Sequence, residues 1–319
     1  MTKERGYLPI SQRHVVCSQQ FDCERLTRLF YLSDEMRKNP NRSLSGKVIA
    51  TLFYEPSTRT RLSFESAALH LGAQVISTEN ASQFSSAIKG ETIEDTVRVI
   101  ANYASAIVIR HNQTGAVDQA SKFSPVPIIN AGDGSGQHPT QALLDAYTIF
   151  RHFGRLDNLN IQLVGDLANG RTVRSLVYLL AKFPKNRFFL VSHPSLKIGQ
   201  DIIDYLKRHQ VAFRQTKSVL TDCDVNYITR IQKERLKDPT TYERVSERYV
   251  IDKAFAESLP SNAIIMHPLP RVNEIKTEVD NCPQAKYFEQ AGNGLYVRMA
   301  VLHQIFDDQP FLFYRGRNQ

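Results

Sequence analysis

Short apolar segments alternate with segments of helical spacing along most of this chain. Continuous apolar runs separated by helices are typical of buried parallel strands covered by helices. The predicted strands form one group in each half of the chain: 48–53, 74–77, 106–109 and 126–129, then 161–164, 187–191, 224–228 and 263–266.

A helical pattern lies between the two groups of strands. Its apolar residues recur at helical spacing, Pro139 suits the first helical position, and Gly154 suits the C-terminal cap. We therefore predict an α/β protein of two domains, each a parallel sheet flanked by helices. The predicted order is a domain of residues 1–137, a bridging helix 138–153, a domain 154–296, and a C-terminal helix 297–319 that packs back on the first domain.

The composition is that of a globular enzyme, with 42% hydrophobic and 23% charged residues among 319. No apolar stretch approaches the roughly 18 residues that cross a membrane. The first residues, MTKERGYLPISQRH, lack the apolar region of a secretory signal. We expect a cytoplasmic protein without a membrane partner.

The four cysteines, Cys17, Cys23, Cys223 and Cys282, form no CxxC pair and lie at no zinc-ligand spacing from a histidine. We expect reduced structural thiols and no metal site.

The net charge of +8 is compatible with nucleic acid or with small anions as ligands. The positive residues form no long run and no basic stripe interleaved with aromatics, and several arginines stand singly where a predicted strand ends. This pattern favours small anionic substrates, and we expect no nucleic-acid partner.

Ligands of open parallel sheets bind at the carboxyl ends of the strands. After the first strand, Ser57 stands at the N-cap of a predicted helix that ends near Leu71, with Gly72 as its cap. Free N–H groups, hydroxyls and Arg59 at this positive helix end predict a phosphate site. The alternative is an ordinary capped helix with solvated arginines.

A second helix start carries His138 and Gln141, which are three residues apart and can face one ligand. A histidine at a positive helix end tends to stay neutral and can donate to a polarised carbonyl. The alternative is a histidine whose hydrogen bonds are satisfied locally.

In the second half, Arg171 lies beside Thr172 and Arg230 near Gln232. Two guanidinium groups can bind the two carboxylates of a dicarboxylate. Taken alone, either arginine is more typical of a surface or structural residue. Acidic residues that could orient them are Asp166, Glu55 and Glu234. Together the strand-end loops predict one cationic cleft.

No nucleotide-binding glycine motif follows a predicted strand, and no residues form a nucleophile–base arrangement. This favours a reaction run by positioning and charge stabilisation, without a cofactor.

Residues 53–65, Phe-Tyr-Glu-Pro-Ser-Thr-Arg-Thr-Arg-Leu-Ser-Phe-Glu, resemble the carbamoyl phosphate signature of the aspartate/ornithine carbamoyltransferase family. The resemblance runs from about Arg13 to Ile305. Other matching motifs are Lys89-Gly-Glu-Thr, Asn130-Ala-Gly-Asp, His138-Pro-Thr-Gln, Gly165-Asp-Leu, Thr229-Arg-Ile-Gln-Lys-Glu-Arg-Leu, His267-Pro-Leu-Pro-Arg and Gln290-Ala-Gly-Asn-Gly.

Within that family the chain is more similar to the aspartate enzymes. Ornithine enzymes carry a cysteine in the loop that here reads His-Pro-Leu-Pro at 267–270, and Arg230 and Gln232 match the aspartate-binding loop. Segments 151–158 and 232–236 resemble the enteric bacterial type, in which catalytic trimers associate with separate zinc-containing regulatory chains. The alternatives are transfer to ornithine or a related amine, and a catalytically silent scaffold.

The resemblance implies transfer of the carbamoyl group from carbamoyl phosphate to the α-amine of L-aspartate, in pyrimidine biosynthesis. It implies a homotrimer, in which a neighbouring subunit supplies Ser85 to carbamoyl phosphate and Lys89 to both substrates. By resemblance, Ser57, Thr58, Arg59 and Thr60 hold the phosphate, Thr60, Arg110 and His138 polarise the carbamoyl oxygen, Gln141 holds the carbamoyl amide, Arg171, Arg230 and Gln232 hold the aspartate carboxylates, and the Leu269 and Pro270 backbone contacts the substrates.

Overall fold

The computed structural model describes residues 13–81, 90–233, 242, 245 and 247–307. The chain divides into two compact units. Unit 1 comprises Met1–Thr140 and Gly294–Gln319, and unit 2 comprises Gln141–Asn293.

Strands and helices alternate along most of the described residues, as the sequence predicts, and β7 leads directly into β8. The strands are β1 Val48–Phe53, β2 Gln74–Glu79, β3 Ala106–His111, β4 Ile128–Asp133, β5 Asn160–Val164, β6 Arg187–Val191, β7 Ala212–Thr216, β8 Val225–Ile228 and β9 Ile264–Met266. The α-helices are α1 Cys23–Lys38, α2 Thr58–His70, α3 Ile93–Ile100, α4 Ala116–Phe123, α5 Pro139–Phe153, α6 Arg171–Leu180, α7 Gln200–Arg208, α8 Lys253–Ser258 and α9 Tyr287–Gln304.

Unit 1 contains a parallel sheet in the order β2-β1-β3-β4. The residues of β3 up to Ile109 and all residues of β4 are buried, whereas those of the edge strand β2 are exposed or half-buried. Apolar residues of the central strands pack against the helices, for example Ile107 against Val97 and Val117 in one core cluster. The buried runs therefore form strands because helices cover the sheet.

Unit 2 contains a parallel sheet in the order β7-β6-β5-β8-β9. Its core includes Val164, Val191, Ile228 and Ile265 from successive strands. The edge strand β7 is not among the predicted strands. Its sequence Ala-Phe-Arg-Gln-Thr is mixed and its residues are exposed or half-buried, so it lacks the continuous apolar run on which the prediction relied.

Two helices extend across the division between the units. The first, α5, begins at Pro139, and after it ends the Gly154 N–H donates to the Phe150 carbonyl at 2.8 Å. The second, α9, begins at Tyr287. The sequence prediction placed its start too late, at 297, because the segment Gln-Ala-Gly-Asn-Gly is intrinsically poor in helix formers. Residues 308–319 of the predicted C-terminal helix lie outside the described residues.

Each sheet has one point where the strand order reverses. In unit 1 the chain leaves β1 for β2 on one side and returns to β3 on the other. In unit 2 the corresponding pair is β5 and β8. Ligands of open parallel sheets bind at such switch points, beyond the carboxyl ends of the strands.

None of the helices in the described part of the chain is long and apolar enough to cross a membrane. The same residues contain no group of three His, Cys, Asp or Glu side chains that could hold a metal ion.

Candidate active site

The turn between β1 and α2 occupies the switch point of unit 1. Ser57 is the N-cap residue of α2, but its side chain makes no capping hydrogen bond. The first turn of α2 contains no acidic residue, and Thr58 and Arg59 are exposed while Thr60 is buried. A positive helix end with hydroxyls, a guanidinium and no carboxylate can bind an anion such as phosphate.

Arg110 lies across from this turn, near the end of β3. Its Cα is in register with that of Phe53, the last residue of β1. One guanidinium nitrogen, Nη2, lies 3.0 Å from Oε2 of Glu55, and the arginine side chain is only 11% exposed. Glu55, which the sequence suggested as a partner for the arginines of the second half, therefore holds Arg110 in place instead.

His111 follows Arg110 but has a local role. Burial lowers the pKa of His111 from its ordinary value, although Asp133 and Glu55 act in the opposite direction. Its Nδ1 accepts the Gln113 N–H at 3.0 Å, and its ring lies 4.7 Å from that of Tyr54. His111 thus shapes the turn after β3, and Arg110 is the cation at this strand end.

His138 directly precedes α5 and is buried, with 4% of its surface exposed. The segment before it is fixed by Asp133, which accepts the Gln137 N–H at 2.7 Å and the Gly115 N–H at 2.9 Å. Pro139, the first residue of α5, has no N–H group. This places a hydrogen-bonding imidazole at the start of the helix.

The ends of β5 and β8 approach closely at the switch point of unit 2. Gly165 has a φ of +114°, and a Cβ at this position would lie 2.3 Å from the Thr229 carbonyl oxygen. The Thr229 N–H in turn donates to the Val164 carbonyl at 2.8 Å. Only glycine fits this approach, which brings the loops after β5 and β8 into contact.

Asp166 connects these two loops and is fully buried. It accepts the Asn169 N–H at 3.0 Å and the Gln232 N–H at 3.4 Å. Arg171, the first residue of α6, and Arg230, which follows β8, are both half-buried. Asn169 also donates its side-chain amide to Asp166.

The loop after β9 is organised by His267. Its Nδ1 accepts the Leu269 N–H at 2.8 Å, so Nε2 carries the proton and donates to Glu274 at 2.9 Å. Burial alone raises the pKa of Glu274, but hydrogen bonds from His267 and backbone N–H groups lower it below the ordinary value. The Leu269 and Pro270 backbone, joined by a cis peptide bond, is thereby fixed.

Gln141 lies in the first turn of α5, and its Nε2 donates to Asp145 at 2.9 Å. Asp145 also accepts Gln290 Nε2 at 2.6 Å and the Tyr227 hydroxyl at 2.7 Å. Gln290 in turn accepts the His267 N–H at 2.9 Å. One buried network therefore includes Gln141 and the loop that carries Leu269.

The structure groups most of the predicted site residues at the two switch points, within their own units. Unit 1 holds Ser57, Thr58, Arg59, Thr60, Arg110 and His138, and unit 2 holds Gln141, Arg171, Arg230, Gln232, Leu269 and Pro270. Ser85, Lys89 and Glu234 lie outside the described residues. The prediction that all these loops line one cleft stays a prediction.

Sequence reasoning missed the supporting residues Asp145, Tyr227, Gln290 and Glu274. The available signal was a carboxylate inside an apolar helical pattern, since Asp145 stands between Leu144 and Ala146. A buried acid requires hydrogen-bond donors around it, and this marks a polar network.

The chain matches two family models that together span most of its length. Residues 13–151 match the aspartate/ornithine carbamoyltransferase, carbamoyl-P binding domain, and residues 157–305 match the Asp/Orn binding domain.

Curated relatives share about half of their aligned residues with the chain. The aspartate carbamoyltransferase catalytic subunit of Methanocaldococcus jannaschii is 52% identical over 274 residues, which cover 85% of this chain and 89% of the relative. The chloroplastic aspartate carbamoyltransferase of Oryza sativa subsp. japonica is 50% identical over 302 residues, covering 90% of this chain and 83% of the relative.

Solved structures give the same result. The M. jannaschii aspartate transcarbamoylase catalytic subunit superposes with a TM-score of 0.86 at 48% identity, covering 93% of this chain and 98% of the other. The Trypanosoma cruzi aspartate transcarbamoylase in complex with carbamoyl phosphate and aspartate has a TM-score of 0.86 at 34% identity, covering 92% and 95%. The chain belongs to the aspartate/ornithine carbamoyltransferase family.

Proposed function

We infer that this chain is an enzyme that transfers the carbamoyl group of carbamoyl phosphate to the α-amine of L-aspartate. The products are N-carbamoyl-L-aspartate and phosphate. The observation that carries this inference is the turn Ser57–Thr60, suited to an anion, beside a half-buried, ion-paired Arg110 at the switch point of unit 1. The named relatives, one of them solved with carbamoyl phosphate and aspartate, support the same reaction.

The phosphate binds to the N-terminal turn of α2 through Ser57, Thr58, Arg59 and Thr60. Arg110, His138 and Thr60 direct donors at the carbamoyl oxygen, where negative charge develops. Donors that are already oriented stabilise a tetrahedral oxyanion more in the transition state than in the ground state. Gln141 accepts from the carbamoyl amide, and the Leu269–Pro270 backbone contacts the substrates.

The acceptor binds to the loops after β5 and β8 through Arg171, Arg230 and Gln232. Two guanidinium groups fit the two carboxylates of aspartate, since each can donate two parallel hydrogen bonds. An ornithine side chain ends in an ammonium and would require an anion at this position. The loops offer cations, which favours aspartate.

The amine of aspartate attacks the carbamoyl carbon, and the C–O bond to phosphate breaks as the tetrahedral intermediate collapses. The departing phosphate takes the amine proton, because none of the residues assigned to the site is a carboxylate base. The chemistry therefore rests on charge stabilisation and positioning, with no step assigned to a cofactor.

The active assembly is a homotrimer in which a neighbouring subunit supplies Ser85 and Lys89. This rests on the match of those residues to the family motif. Separate zinc-containing regulatory chains are possible partners on the resemblance to the enteric bacterial type. The cytoplasm is the proposed location, although the rice relative is named chloroplastic.

The first experiment measures carbamoyl transfer by the purified chain with aspartate and ornithine offered in parallel. Carbamoyl-aspartate alone supports the assignment. Carbamoyl-ornithine would keep the phosphate turn and overturn the role of Arg171 and Arg230. No product from a verified trimer would favour the silent scaffold.

A mixing experiment tests the shared site. Lys89→Ala and His138→Ala chains, each inactive alone, should regain activity when mixed trimers form. Verified mixed trimers without any activity would exclude a site built from two subunits.

A further inference from the structure

Asp145 is a fully buried carboxylate on α5, four residues after Gln141 and on the same helix face. A buried carboxylate is costly unless donors surround it. Three donors do so here: the side-chain amides of Gln141 and Gln290 bind Oδ1, and the Tyr227 hydroxyl binds Oδ2. All of them belong to unit 2, and Asp145 takes no part in the proposed reaction.

The Tyr227 hydroxyl can act only as a donor towards this carboxylate. Burial and the Asp145 charge raise the pKa of Tyr227 well above its ordinary value, so the phenol keeps its proton. This hydrogen bond fixes Oδ2, and it leaves Oδ1 for the two glutamine amides.

An ionised carboxylate accepts hydrogen bonds and donates none. It therefore binds the NH2 end of each amide and rejects the carbonyl end. For Gln141, this places Nε2 on Asp145 and leaves Oε1 as the end that can accept a further hydrogen bond. For Gln290, Nε2 is likewise on Asp145, and Oε1 accepts the His267 N–H.

We propose that Asp145 is a positioning residue that fixes the amide orientation of Gln141, so that Gln141 presents an acceptor to the carbamoyl NH2 group. The inference rests on the proposed function, because it assigns the ligand of Gln141 as a carbamoyl amide. The same carboxylate orients Gln290 of α9, which accepts the His267 N–H of the loop that carries Leu269. One buried acid therefore supports two parts of the proposed substrate site.

The two ends of an amide are almost equal in size, so packing alone does not select between them. In Asp145→Asn, the new amide can either accept from Gln141 or donate to it. Both orientations of Gln141 then occur, and one of them directs an NH2 group at the substrate NH2. When the NH2 group of Gln141 faces the NH2 group of the substrate, no hydrogen bond forms between them, and both donors are removed from water without an acceptor.

The test compares two ligands by calorimetry. Phosphonoacetamide carries both a phosphonate and an amide, whereas inorganic phosphate carries only the anion. We expect Asp145→Asn to weaken phosphonoacetamide binding about tenfold and to change phosphate binding less than about twofold. Equal losses for both ligands, or no loss for either, would overturn the proposal.

A second variant exchanges the donor and the acceptor. In Asp145→Asn/Gln141→Glu, the asparagine NH2 donates to one carboxylate oxygen of residue 141, and the other oxygen faces the ligand as an acceptor. We expect this double variant to regain part of the affinity for phosphonoacetamide. If the single variant does not fold, the double variant carries the test. A folded double variant that binds phosphonoacetamide no better than a Gln141→Ala chain would contradict the proposal.

The matched control is another buried hydrogen bond between the same two helices. Asn293 donates to the Thr148 hydroxyl at 2.9 Å, three residues along each helix from the Gln290–Asp145 bond. Thr148→Val should lower the thermal midpoint while leaving the affinity for both ligands unchanged. A Thr148→Val chain with the binding pattern of Asp145→Asn would reduce Asp145 to a structural residue.

Ligand binding by the wild-type chain distinguishes a failure of the proposed function from a failure of the role of Asp145. A wild-type chain that binds neither ligand overturns the proposed function and this proposal with it. A wild-type chain that binds both, beside an Asp145→Asn chain that also binds both normally, overturns only the role of Asp145.

Discussion

Glu55 and Arg110 form an ion pair across the switch point of unit 1, with 3.0 Å between Oε2 and Nη2. Glu55 follows β1 and Arg110 lies at the end of β3, so the pair links the two strands between which the sheet order reverses. A guanidinium held by one carboxylate keeps its remaining N–H donors pointed in a fixed direction. Its orientation is therefore set before a substrate arrives.

Replacing Glu55 by Gln should lower the turnover number about tenfold, because Arg110 then loses the charged partner that fixes its donors. Steady-state assays with carbamoyl phosphate and aspartate measure this. The matched control is Glu79→Gln, which breaks the Arg61–Glu79 ion pair of 2.9 Å in the same unit, outside the proposed site. If both variants lose activity equally, the Glu55 pair has no special role.

Replacing His138 by Ala should lower turnover about 100- to 1,000-fold, since the loss of one oxyanion donor typically costs about 3–4 kcal/mol. The fold should survive, because the chain before His138 is fixed by Asp133 rather than by the imidazole. His152→Ala is the control at the other end of α5, where the ring contacts the Asn262 carbonyl. Near-normal turnover in His138→Ala would remove this residue from the mechanism.

The sequence predicted strands mainly where the apolar run is continuous. This worked for β1, whose residues after Val48 are all buried, and failed for β7, an exposed edge strand with a mixed sequence. It also placed the start of the last helix too late, because packing in α9 overrides the low helix propensity of its glycines. Local sequence patterns indicate burial and intrinsic helix propensity. The edge strand β7 and the early start of α9 depend instead on tertiary neighbours, which a local pattern does not show.

The site was predictable to the level of single loops. The order of the strands in each sheet cannot be inferred from a local sequence pattern. This order places the β1 loop beside Arg110 and the β5 loop beside the β8 loop. The partner of Glu55 therefore could not be assigned from spacing. Asp145 was visible as an acid in an apolar helix, but two of its donors, Tyr227 and Gln290, come from positions far away in the chain.

Replacing Gly165 by Ala should destabilise the chain by about 2–4 kcal/mol. The added Cβ would lie 2.3 Å from the Thr229 carbonyl oxygen, and the φ of +114° is unfavourable for alanine. The displaced β8 loop should also raise KM for aspartate. Gly292→Ala is the control, because a Cβ there meets nothing within 4 Å and a helical position should gain about 0.5–1 kcal/mol. Thermal unfolding of both variants measures the difference, and equal midpoints would refute the close approach.

Acid should weaken the loop that carries Leu269 through Glu274. The folded pKa of Glu274 lies below its ordinary value of 4.5, so its carboxylate stabilises the fold above that pH. This contribution is lost as the pH falls through the folded pKa. At neutral pH, Glu274→Gln should therefore lower the free energy of unfolding by about 1–3 kcal/mol, and the variant should unfold at a lower temperature than the wild type. The difference in unfolding temperature should shrink once the pH is taken below 4.5.

Glu257→Gln is the control. It removes only an exposed partner of Lys253 and should unfold like the wild type at every pH. A gap between the Glu274 variant and the wild type that stays constant into acid would show that the Glu274 charge does not hold this loop.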